Sequence, residues 1–251
     1  PNFRQPVDFS EIVFSDIILK RTVEYMPYVD KVKVRDYLMD LGLEKYLPKL
    51  FGVWKNAEEI DFSILPDKFA LKTNNYCGGH LFCKEKKAFD IENAVIHMNK
   101  QLQKVSIELR ESQYGLIEPV IYAEELLEEY AKEQPTDYKF HCCDGEVKGC
   151  LVCSGRGSED GMKLAFYDKC WIRRDDFIRG SHKTSEVYEI PQNYDEMLNI
   201  VHLLATRFEH VRVDLYNING RIFLGELTFT PEGGMMSYYT NKAIDYLGHN
   251  M

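Results

Sequence analysis

The amino-acid sequence predicts an α+β fold made of helices and hairpin-linked antiparallel strands. Several segments repeat apolar residues at helical spacing, whereas others alternate apolar and polar residues, as half-buried strands do. Short turn signals such as Asn219-Gly220 separate most neighbouring strand segments. A doubly wound parallel sheet requires a helical crossover between strands, so these hairpins favour the α+β class.

Two helices are predicted near the start of the chain. The first covers residues 9–26, where apolar residues recur at helical spacing. The second begins near Asp30, a suitable N-cap residue, and ends at Gly42. We therefore expect residues 1–65 to form a helical N-terminal segment.

The next region begins with a short strand, residues 69–72, that ends at Lys72. A polar loop with the glycine pair Gly78-Gly79 follows. The other predicted elements here are a strand, a helix and a strand, at residues 81–83, 90–105 and 120–123. Lys72 is a candidate phosphate ligand because its ammonium supplies charge and the glycines let backbone N–H groups approach oxygens. The commoner alternative is a surface lysine beside a turn, since neither standard glycine-rich phosphate motif is present.

The last part of the chain is predicted to contain two hairpins and an amphipathic helix. The hairpins cover residues 137–153 and 211–228, and the helix covers residues 193–208. Between the first hairpin and the helix we expect a loop-rich basic stretch. Its cations could bind an anionic substrate, or they could simply face solvent; the two alternatives have equal support. They are Arg156, Lys163, Lys169, Arg173, Arg174 and Arg179.

The second hairpin allows two registers. A two-residue loop at Asn219-Gly220 pairs Val213 with Glu226 and buries a carboxylate among valines. A three-residue loop starting at Ile218 instead pairs Arg212 with Glu226 and Asp214 with Leu224. We predict the second register because it separates apolar from polar side chains. It places Val211, Val213, Leu215, Phe223, Gly225 and Leu227 on one face and Arg212, Asp214, Glu226 and Thr228 on the other.

The polar face of this hairpin has the chemistry of a magnesium site. Asp214, Glu226 and Thr228 offer hard oxygen ligands, which suit Mg²⁺ if phosphates complete its coordination shell. Arg212 beside them could neutralise a phosphoryl group or an oxyanion. The alternative is an exposed sheet face with an ordinary Arg–Glu pair across the strands, and this segment alone supports both equally.

The overall charge and the hydrophobic pattern limit the classes of partner. The chain has 251 residues and a net charge of −9, which argues against a general nucleic-acid or anionic-membrane binder. No apolar run approaches the ~20 residues of a membrane span. The first nine residues lack a signal-peptide pattern. We therefore expect a cytoplasmic protein, and the sequence leaves its oligomeric state open.

The seven cysteines suggest a zinc site at first sight. Cys150 and Cys153 have a zinc-like spacing, and His141, Cys142 and Cys143 are near in sequence. In a strand, however, residues three apart face opposite sides of the sheet. We therefore predict reduced thiols, with neither zinc nor a disulfide.

Together these segments resemble the ATP-grasp superfamily, and more closely the TupA-like ATP-grasp family, over residues 30–248. The segment Asp30-Lys-Val-Lys-Val-Arg35 is similar to the first helix of the family, and Leu65-Pro-Asp-Lys-Phe-Ala-Leu-Lys72 to its phosphate-binding strand. The resemblance implies that Arg35 and Lys72 bind the phosphates of ATP and that Gly78 and Gly79 belong to the covering loop.

The resemblance extends to the segment that binds adenine in the family. Glu118-Pro-Val-Ile-Tyr-Ala-Glu-Glu-Leu-Leu127 is similar to the hinge between the two subdomains of the family. This implies that the backbone from Glu125 to Leu127 contacts adenine and that an acidic side chain, Glu124 or Glu125, assists.

The C-terminal part resembles the catalytic half of the family. Lys139 and Arg156 lie in segments similar to those that line its active site, and the last hairpin is similar to its metal motif. The resemblance implies Asp214 and Glu226 as Mg²⁺ ligands, with Thr228 beside them and Arg212 near the γ-phosphate. The chain departs from the usual pattern in two places: Thr228 stands where most ATP-grasp enzymes have asparagine, and Asn74-Asn-Tyr-Cys-Gly-Gly79 replaces the usual Asn-His-Gly-Ser-Gly loop.

The resemblance implies an ATP-grasp fold in which two α+β subdomains clasp ATP. Residues 66–130 would be the small subdomain, or lid, and residues 131–251 the large subdomain with the metal site. The implied activity is an ATP- and Mg²⁺-dependent ligase that joins a carboxylate, such as a uronic acid of a surface polysaccharide, to an amine. An ATP-dependent sugar kinase and a non-catalytic nucleotide-binding protein remain as alternatives. A glycosyltransferase has less support, since the chain lacks an Asp-x-Asp metal motif.

Overall fold

A computed structural model describes residues 3–75, 78–104, 112–127, 135–156 and 158–248. The chain divides into two compact units. Unit 1 consists of Pro1–Thr22 and Glu133–Met251, and unit 2 of Val23–Lys132. The expected helical segment 1–65 is thus shared between them: its first helix belongs to unit 1 and the rest to unit 2.

The described residues form six α-helices and nine strands. The helices are α1 (Phe9–Ile18), α2 (Met26–Val29), α3 (Val34–Asp40), α4 (Ile91–Leu102), α5 (Tyr194–Ala205) and α6 (Asn241–Leu247). The strands are β1 (Leu50–Trp54), β2 (Phe69–Thr73), β3 (Leu81–Cys83), β4 (Ile121–Glu125), β5 (Asp137–Cys143), β6 (Glu146–Ser154), β7 (Lys163–Asp168), β8 (His210–Ile218) and β9 (Arg221–Thr228). This α+β content confirms the predicted class.

The two predicted N-terminal helices are shorter than the sequence indicates. Helix α1 is capped by Asp8, whose side chain accepts a hydrogen bond from Glu11 N, and it ends at Ile18. Lys20 then adopts a left-handed backbone conformation (φ 58°), which a continuing helix does not allow. The second predicted helix corresponds to α3 and ends before Gly42, whose φ of 69° is left-handed.

Unit 2 is built on an antiparallel sheet with the strand order β1-β4-β2-β3. Strand β1 was not predicted. One face of the sheet forms a core with α4, made of apolar residues that include Phe69, Leu71, Met98, Ile121 and Ala123. Side chains alternate along a strand, so Lys72 on β2 and Glu124 on β4 point to the opposite face.

Unit 1 contains a five-stranded antiparallel sheet with the order β7-β6-β5-β8-β9. Helix α5 packs against β5, β6 and β8 and covers one face of this sheet. On the other face, α1 and α6 join a second apolar core. Its members include Phe9, Val13, Leu151, Phe166, Ala243 and Leu247. Strand β7 lies within the stretch that was predicted to be loop-rich.

The predicted register of the β8–β9 hairpin is wrong. The turn contains two residues, because Ile218 pairs with Arg221, and Asn219 and Gly220 both have positive φ (53° and 80°). A β-bulge at Gly225 then shifts the pairing by one residue, so that Asp214 pairs with Glu226. Without the bulge, a two-residue loop would pair Glu226 with Val213 on the apolar face. With it, the hairpin has a two-residue loop and both carboxylates lie on the polar face.

The bulge also changes the apolar face. Leu215 pairs with Leu224, and Tyr216 pairs with Phe223. Because paired residues share a face, Leu224 takes the place that was predicted for Phe223. Phe223 instead lies on the opposite face, where the guanidinium of Arg221 sits 4.4 Å from its ring centroid.

The cysteines follow the predicted strand geometry. Cys150 pairs with Phe140 and Cys153 pairs with Asp137, which places these two thiols on opposite faces of the sheet. Burial raises the pKa of the Cys143 thiol to about 12, with Asp144 adding to the effect. Burial likewise raises the pKa of the Cys150 thiol.

Candidate active site

One face of the sheet in unit 1 carries a chain of alternating charges across β5, β8 and β9. The paired positions Lys139–Asp214 and Asp214–Glu226 bring these side chains together from three neighbouring strands. Arg212 and Thr228, another directly paired set, lie beside them. The predicted grouping of Arg212, Asp214, Glu226 and Thr228 on one face is therefore confirmed, and Lys139 joins it.

Asp214 is the centre of this cluster. Arg212 binds it with two hydrogen bonds, Nε to Oδ1 at 2.7 Å and Nη2 to Oδ2 at 2.8 Å. Lys139 Nζ lies 2.5 Å from Oδ2. The Asp214 side chain is only 2% exposed. Such a buried carboxylate needs cationic partners, because desolvation of an unpaired charge costs several kcal/mol.

The protonation states follow from this pairing. Burial opposes the ionisation of Asp214, but Arg212 and Lys139 outweigh burial and hold the pKa of Asp214 below its usual value. Burial also acts against the charge of Lys139, but Asp214 raises the pKa of Lys139 above its usual value. At neutral pH Asp214 is therefore ionised and Lys139 is positively charged.

Glu226 is the more exposed carboxylate of the cluster, and the buried Thr228 lies beside it. The Glu226 side chain is 28% exposed and its Oε1 lies 3.4 Å from Arg212 Nη2. Thr228 Oγ1 is 3.2 Å from the same carboxylate oxygen and 3.0 Å from Arg212 Nη2. Arg212 therefore links the carboxylates of both strands.

Asp137 extends the cluster along β5, and it was missed as a site residue. Its carboxylate is 3.5 Å from Lys139 Nζ and also forms an ion pair with Arg156. Burial raises the pKa of Asp137, and Lys139 and Arg156 offset part of this rise. The sequence signal was the i, i+2 spacing of Asp137 and Lys139, which puts both residues on one strand face.

The oxygen donors of the cluster suit Mg²⁺. Two carboxylates, from Asp214 and Glu226, and the hydroxyl of Thr228 lie on adjacent strands, and all three are hard ligands. No group of three or more acidic, histidine or cysteine side chains arranged for a metal occurs among the described residues. Two carboxylates and one hydroxyl leave the remaining oxygen ligands of octahedral Mg²⁺ to be supplied by phosphates or water.

Unit 2 carries a second charged cluster, at Glu124. Lys72 Nζ lies 2.6 Å from Glu124 Oε1, and Arg35 Nη2 lies 3.5 Å from Oε2. Arg35 also donates from Nη1 to the carbonyl of Pro48 at 3.0 Å and is almost fully buried. The Lys72 side chain is 17% exposed. Three of the residues that the resemblance implied for nucleotide binding thus meet at Glu124.

Other predicted nucleotide-binding residues lie near this cluster in the chain. Glu125 follows Glu124 at the end of β4, and its carboxylate accepts a hydrogen bond from Lys49 N. Leu127, two residues further on, is buried. Gly78 and Gly79 both have positive φ (95° and 70°). The left-handed φ of Gly79 favours glycine, and a Cβ there would also require the Gln101 side chain to move.

Most cations of the basic stretch have partners in the local structure. Lys163 forms an ion pair with Glu186 at 2.7 Å. Arg173 donates to the backbone carbonyls of Thr184 and Ser185, and Arg174 stacks on Phe177 at 3.9 Å. Arg179 donates from Nε to the carbonyl of Ser237. Arg156 differs from these residues because it contacts the charged cluster through Asp137.

None of the helices in the described part of the chain combines the length and apolar character that a bilayer crossing requires. Among curated proteins, no sequence matches this chain.

Several solved structures are similar to this chain. A D-alanine–D-alanine ligase from Bacillus anthracis complexed with ATP has a TM-score of 0.47 and 15% identity, over 80% of this chain and 54% of the ligase. D-cycloserine synthetase DcsG has a TM-score of 0.46 and 13% identity, over 88% and 68% of the two chains. A RimK domain ATP-grasp protein from Sphaerobacter thermophilus has a TM-score of 0.48 and 10% identity, over 90% and 66%.

The alignment to the Bacillus anthracis ligase spans little more than half of that protein. The family model described as TupA-like ATPgrasp, by contrast, matches residues 13–251 of this chain, which is nearly its whole length. The chain therefore belongs to the TupA-like ATP-grasp family.

Proposed function

We propose that this protein is an ATP-dependent ligase that joins a carboxylate to an amine through an acyl phosphate. The observation that carries the proposal is the buried cluster on β5, β8 and β9. There Asp214 and Glu226 lie on one sheet face with Arg212 and Lys139 between and beside them. Carboxylates for a metal and cations for phosphoryl oxygens are the two requirements of phosphoryl transfer.

In this proposal the nucleotide-binding residues have distinct roles. Lys72 and Arg35 of unit 2 bind the phosphates of ATP, and Gly78 and Gly79 belong to the loop that covers them. The end of β4, from Glu124 and Glu125 to Leu127, contacts adenine. In the proposal, residues 66–130 form the lid and residues 131–251 the catalytic subdomain, and Arg35 precedes the lid in the chain.

In the first step a substrate carboxylate oxygen attacks the γ-phosphorus, the bond to ADP breaks, and an acyl phosphate forms. Arg212 and Lys139 neutralise the negative charge on the transferring oxygens. Asp214 and Glu226, with Thr228, would hold Mg²⁺, which supplies charge neutralisation for the phosphates when bound. Arg156 orients the substrate carboxylate.

In the second step an amine attacks the acyl carbon and inorganic phosphate leaves. The carbonyl oxygen carries negative charge in the tetrahedral intermediate, and Arg212 stabilises that charge. The amine loses a proton as the amide forms. Closure of the lid excludes water, which would otherwise hydrolyse the acyl phosphate.

We further propose that the carboxylate belongs to a uronic acid of a surface polysaccharide or its precursor, and that the reaction takes place in the cytoplasm. The support for this substrate is the resemblance to TupA-like proteins. The cations Lys139 and Arg156 suit an anionic sugar acid.

Product analysis tests the proposal. The protein is incubated with ATP, Mg²⁺ and a panel of uronic acids and amino acids, and the products are identified by mass spectrometry. A ligase yields an amide, ADP and phosphate, and hydroxylamine traps its activated carboxylate as a hydroxamate. A phosphosugar with ADP would identify a kinase instead, and no turnover with retained ATP binding would identify a nucleotide-binding protein.

A further inference from the structure

Asn74 joins three segments of unit 2. Its side chain donates from Nδ2 to Asp30 Oδ1 and to the carbonyl of Glu118, each at 3.1 Å. Its Oδ1 accepts a hydrogen bond from Val120 N at 2.8 Å. The residue is only 1% exposed. A buried amide whose oxygen and nitrogen both have partners fixes the geometry of the segments it contacts.

Each of these segments is adjacent in sequence to an element that carries one residue of the Glu124 cluster. Asn74 itself follows the end of β2, which carries Lys72. Glu118 and Val120 precede β4, which carries Glu124. Asp30 precedes α3, which carries Arg35. The three segments meet at Asn74, and the three side chains they carry meet at Glu124.

Asp30 connects Asn74 to α3 by hydrogen bonds. The same Oδ1 atom that accepts from Asn74 also accepts from Val32 N at 2.9 Å and Lys33 N at 3.2 Å. The carbonyl of Asp30 accepts from Val34 N, the first residue of α3. Asp30 thus fixes the turn that sets the position of Arg35, one residue into the helix.

We propose that Asn74 is a positioning residue of the nucleotide site, which sets Arg35 relative to Lys72 through Asp30. This inference rests on the proposed function, because it assumes that Arg35 and Lys72 bind the phosphates of ATP. Asn74 does not touch the nucleotide. Its effect on ATP affinity passes through the turn at Asp30 and therefore depends on Arg35.

The neighbouring residue provides a matched control. Asn75 is also buried, 2% exposed, and its Nδ2 donates to the carbonyls of Leu102 and Lys104. These acceptors lie at the last residue of α4 and just after it, and neither is in a segment that carries Arg35. A substitution at Asn75 removes a buried amide of the same kind without loosening the turn at Asp30.

The test is a double-mutant cycle on ATP affinity, measured by calorimetry with the full chain. Asn74→Ala is expected to weaken ATP binding on the order of tenfold in the wild-type background and less than about twofold in an Arg35→Met background. Asn75→Ala is expected to show no such coupling to Arg35→Met. A purely structural role would lower the melting temperature of Asn74→Ala but leave the coupling at zero.

Asp30→Ser tests the same connection from its other end, and it serves if Asn74→Ala does not fold. Serine keeps a capping oxygen for the turn but is too short to reach Asn74. It should weaken ATP binding about as much as Asn74→Ala, without adding to it. Wild-type affinity in folded variants, or equal losses with and without Arg35, overturns the inference alone. Wild-type protein that fails to bind ATP overturns the proposed function and this inference together.

Discussion

At the scale of residues, the two proposed metal ligands differ in what surrounds them. Asp214 is buried and bound by two cations, whereas the Glu226 side chain is 28% exposed and has one cation at 3.4 Å. Removing the charge of Asp214 leaves Arg212 and Lys139 with less compensation in a desolvated site. Removing the charge of Glu226 leaves a group that water still reaches. Replacing the carboxylate by an amide should therefore change the free energy of unfolding by different amounts at the two positions.

We expect Asp214→Asn to lower the free energy of unfolding by about 3–5 kcal/mol, the cost of breaking a buried ion pair. Glu226→Gln should cost less than about 1 kcal/mol, as for a partly exposed pair. Both variants should lose Mg²⁺-dependent nucleotide binding. Urea denaturation and a Mg²⁺ titration monitored by calorimetry provide the two measurements. Equal stability losses would contradict this account of the site.

Lys72 is the residue on which the nucleotide assignment depends most directly. Lys72→Met keeps the aliphatic stem but removes the ammonium, so ATP affinity should fall by about 10- to 100-fold, as expected for a lost charged hydrogen bond of ~1.5–3 kcal/mol. Calorimetry with ATP measures the change.

Lys68→Met is the control for that experiment. Lys68 is an exposed lysine just before β2 and lies outside the Glu124 cluster. Its replacement should leave the affinity within about twofold. Unchanged ATP affinity in folded Lys72→Met would remove the phosphate-binding role from this residue.

At the scale of elements, the sequence predicted that the polar side chains of β8 and β9 share a face, but not how the strands pair or which apolar residues lie opposite them. Alternation along β8 and β9 was enough to group Asp214 with Glu226, because period-2 patterning reports the face directly. The register required knowledge of the bulge at Gly225, a backbone feature that shifts the pairing by one residue. For a related reason, the sequence left the basic stretch with two equally supported interpretations. Its charges have no periodic pattern, and their partners are backbone carbonyls and acids that only the fold brings near.

Gly225 is therefore the residue whose bulge sets the pairing of Asp214 with Glu226. A Cβ at this position would lie 3.1 Å from the Asp214 carbonyl oxygen and 3.1 Å from a Tyr216 ring carbon. Gly225→Val should strain the bulge, lower the free energy of unfolding by about 1–3 kcal/mol, and weaken Mg²⁺-dependent nucleotide binding because Asp214 and Glu226 no longer align.

Gly220→Ala provides the comparison, since it strains the hairpin turn (φ 80°) but a Cβ there meets no other atom. It should cost about 1 kcal/mol of stability and leave the Mg²⁺ response unchanged. The two variants are compared by urea denaturation and by Mg²⁺ titration in the presence of ATP. A normal Mg²⁺ response in folded Gly225→Val would show that the bulge does not set the site.

At the scale of the whole molecule, the division into units was the feature least accessible from the sequence. Helix α1 packs with α6 in unit 1, although more than half of the chain separates them. Nothing in the local pattern of residues 9–18 distinguishes a helix that packs nearby from one that packs against distant segments. Periodicity gives a helix and its apolar face, whereas the partner of that face is a property of the complete core.

His141 gives the free energy of unfolding a defined pH dependence. It is fully buried on β5, and its Nε2 is 2.7 Å from the Tyr239 hydroxyl. Burial, with a contribution from the nearby Arg212, lowers the pKa of His141 to about 3 from an ordinary value of 6.5. Between these values the unfolded chain binds a proton that the folded protein does not. Stability is therefore fully present above pH 6.5 and is lost progressively as the pH falls toward 3.

We expect the free energy of unfolding to fall by about 2 kcal/mol between pH 7 and pH 5 from this group, since a full proton difference gives ~1.4 kcal/mol per pH unit. His141→Gln keeps an acceptor for the Tyr239 hydroxyl but cannot titrate, so its stability should fall less over the same interval. The difference between the two proteins, measured by urea denaturation at each pH, isolates His141 from the carboxylates of the site. Parallel pH profiles would show that His141 is not held neutral by its surroundings.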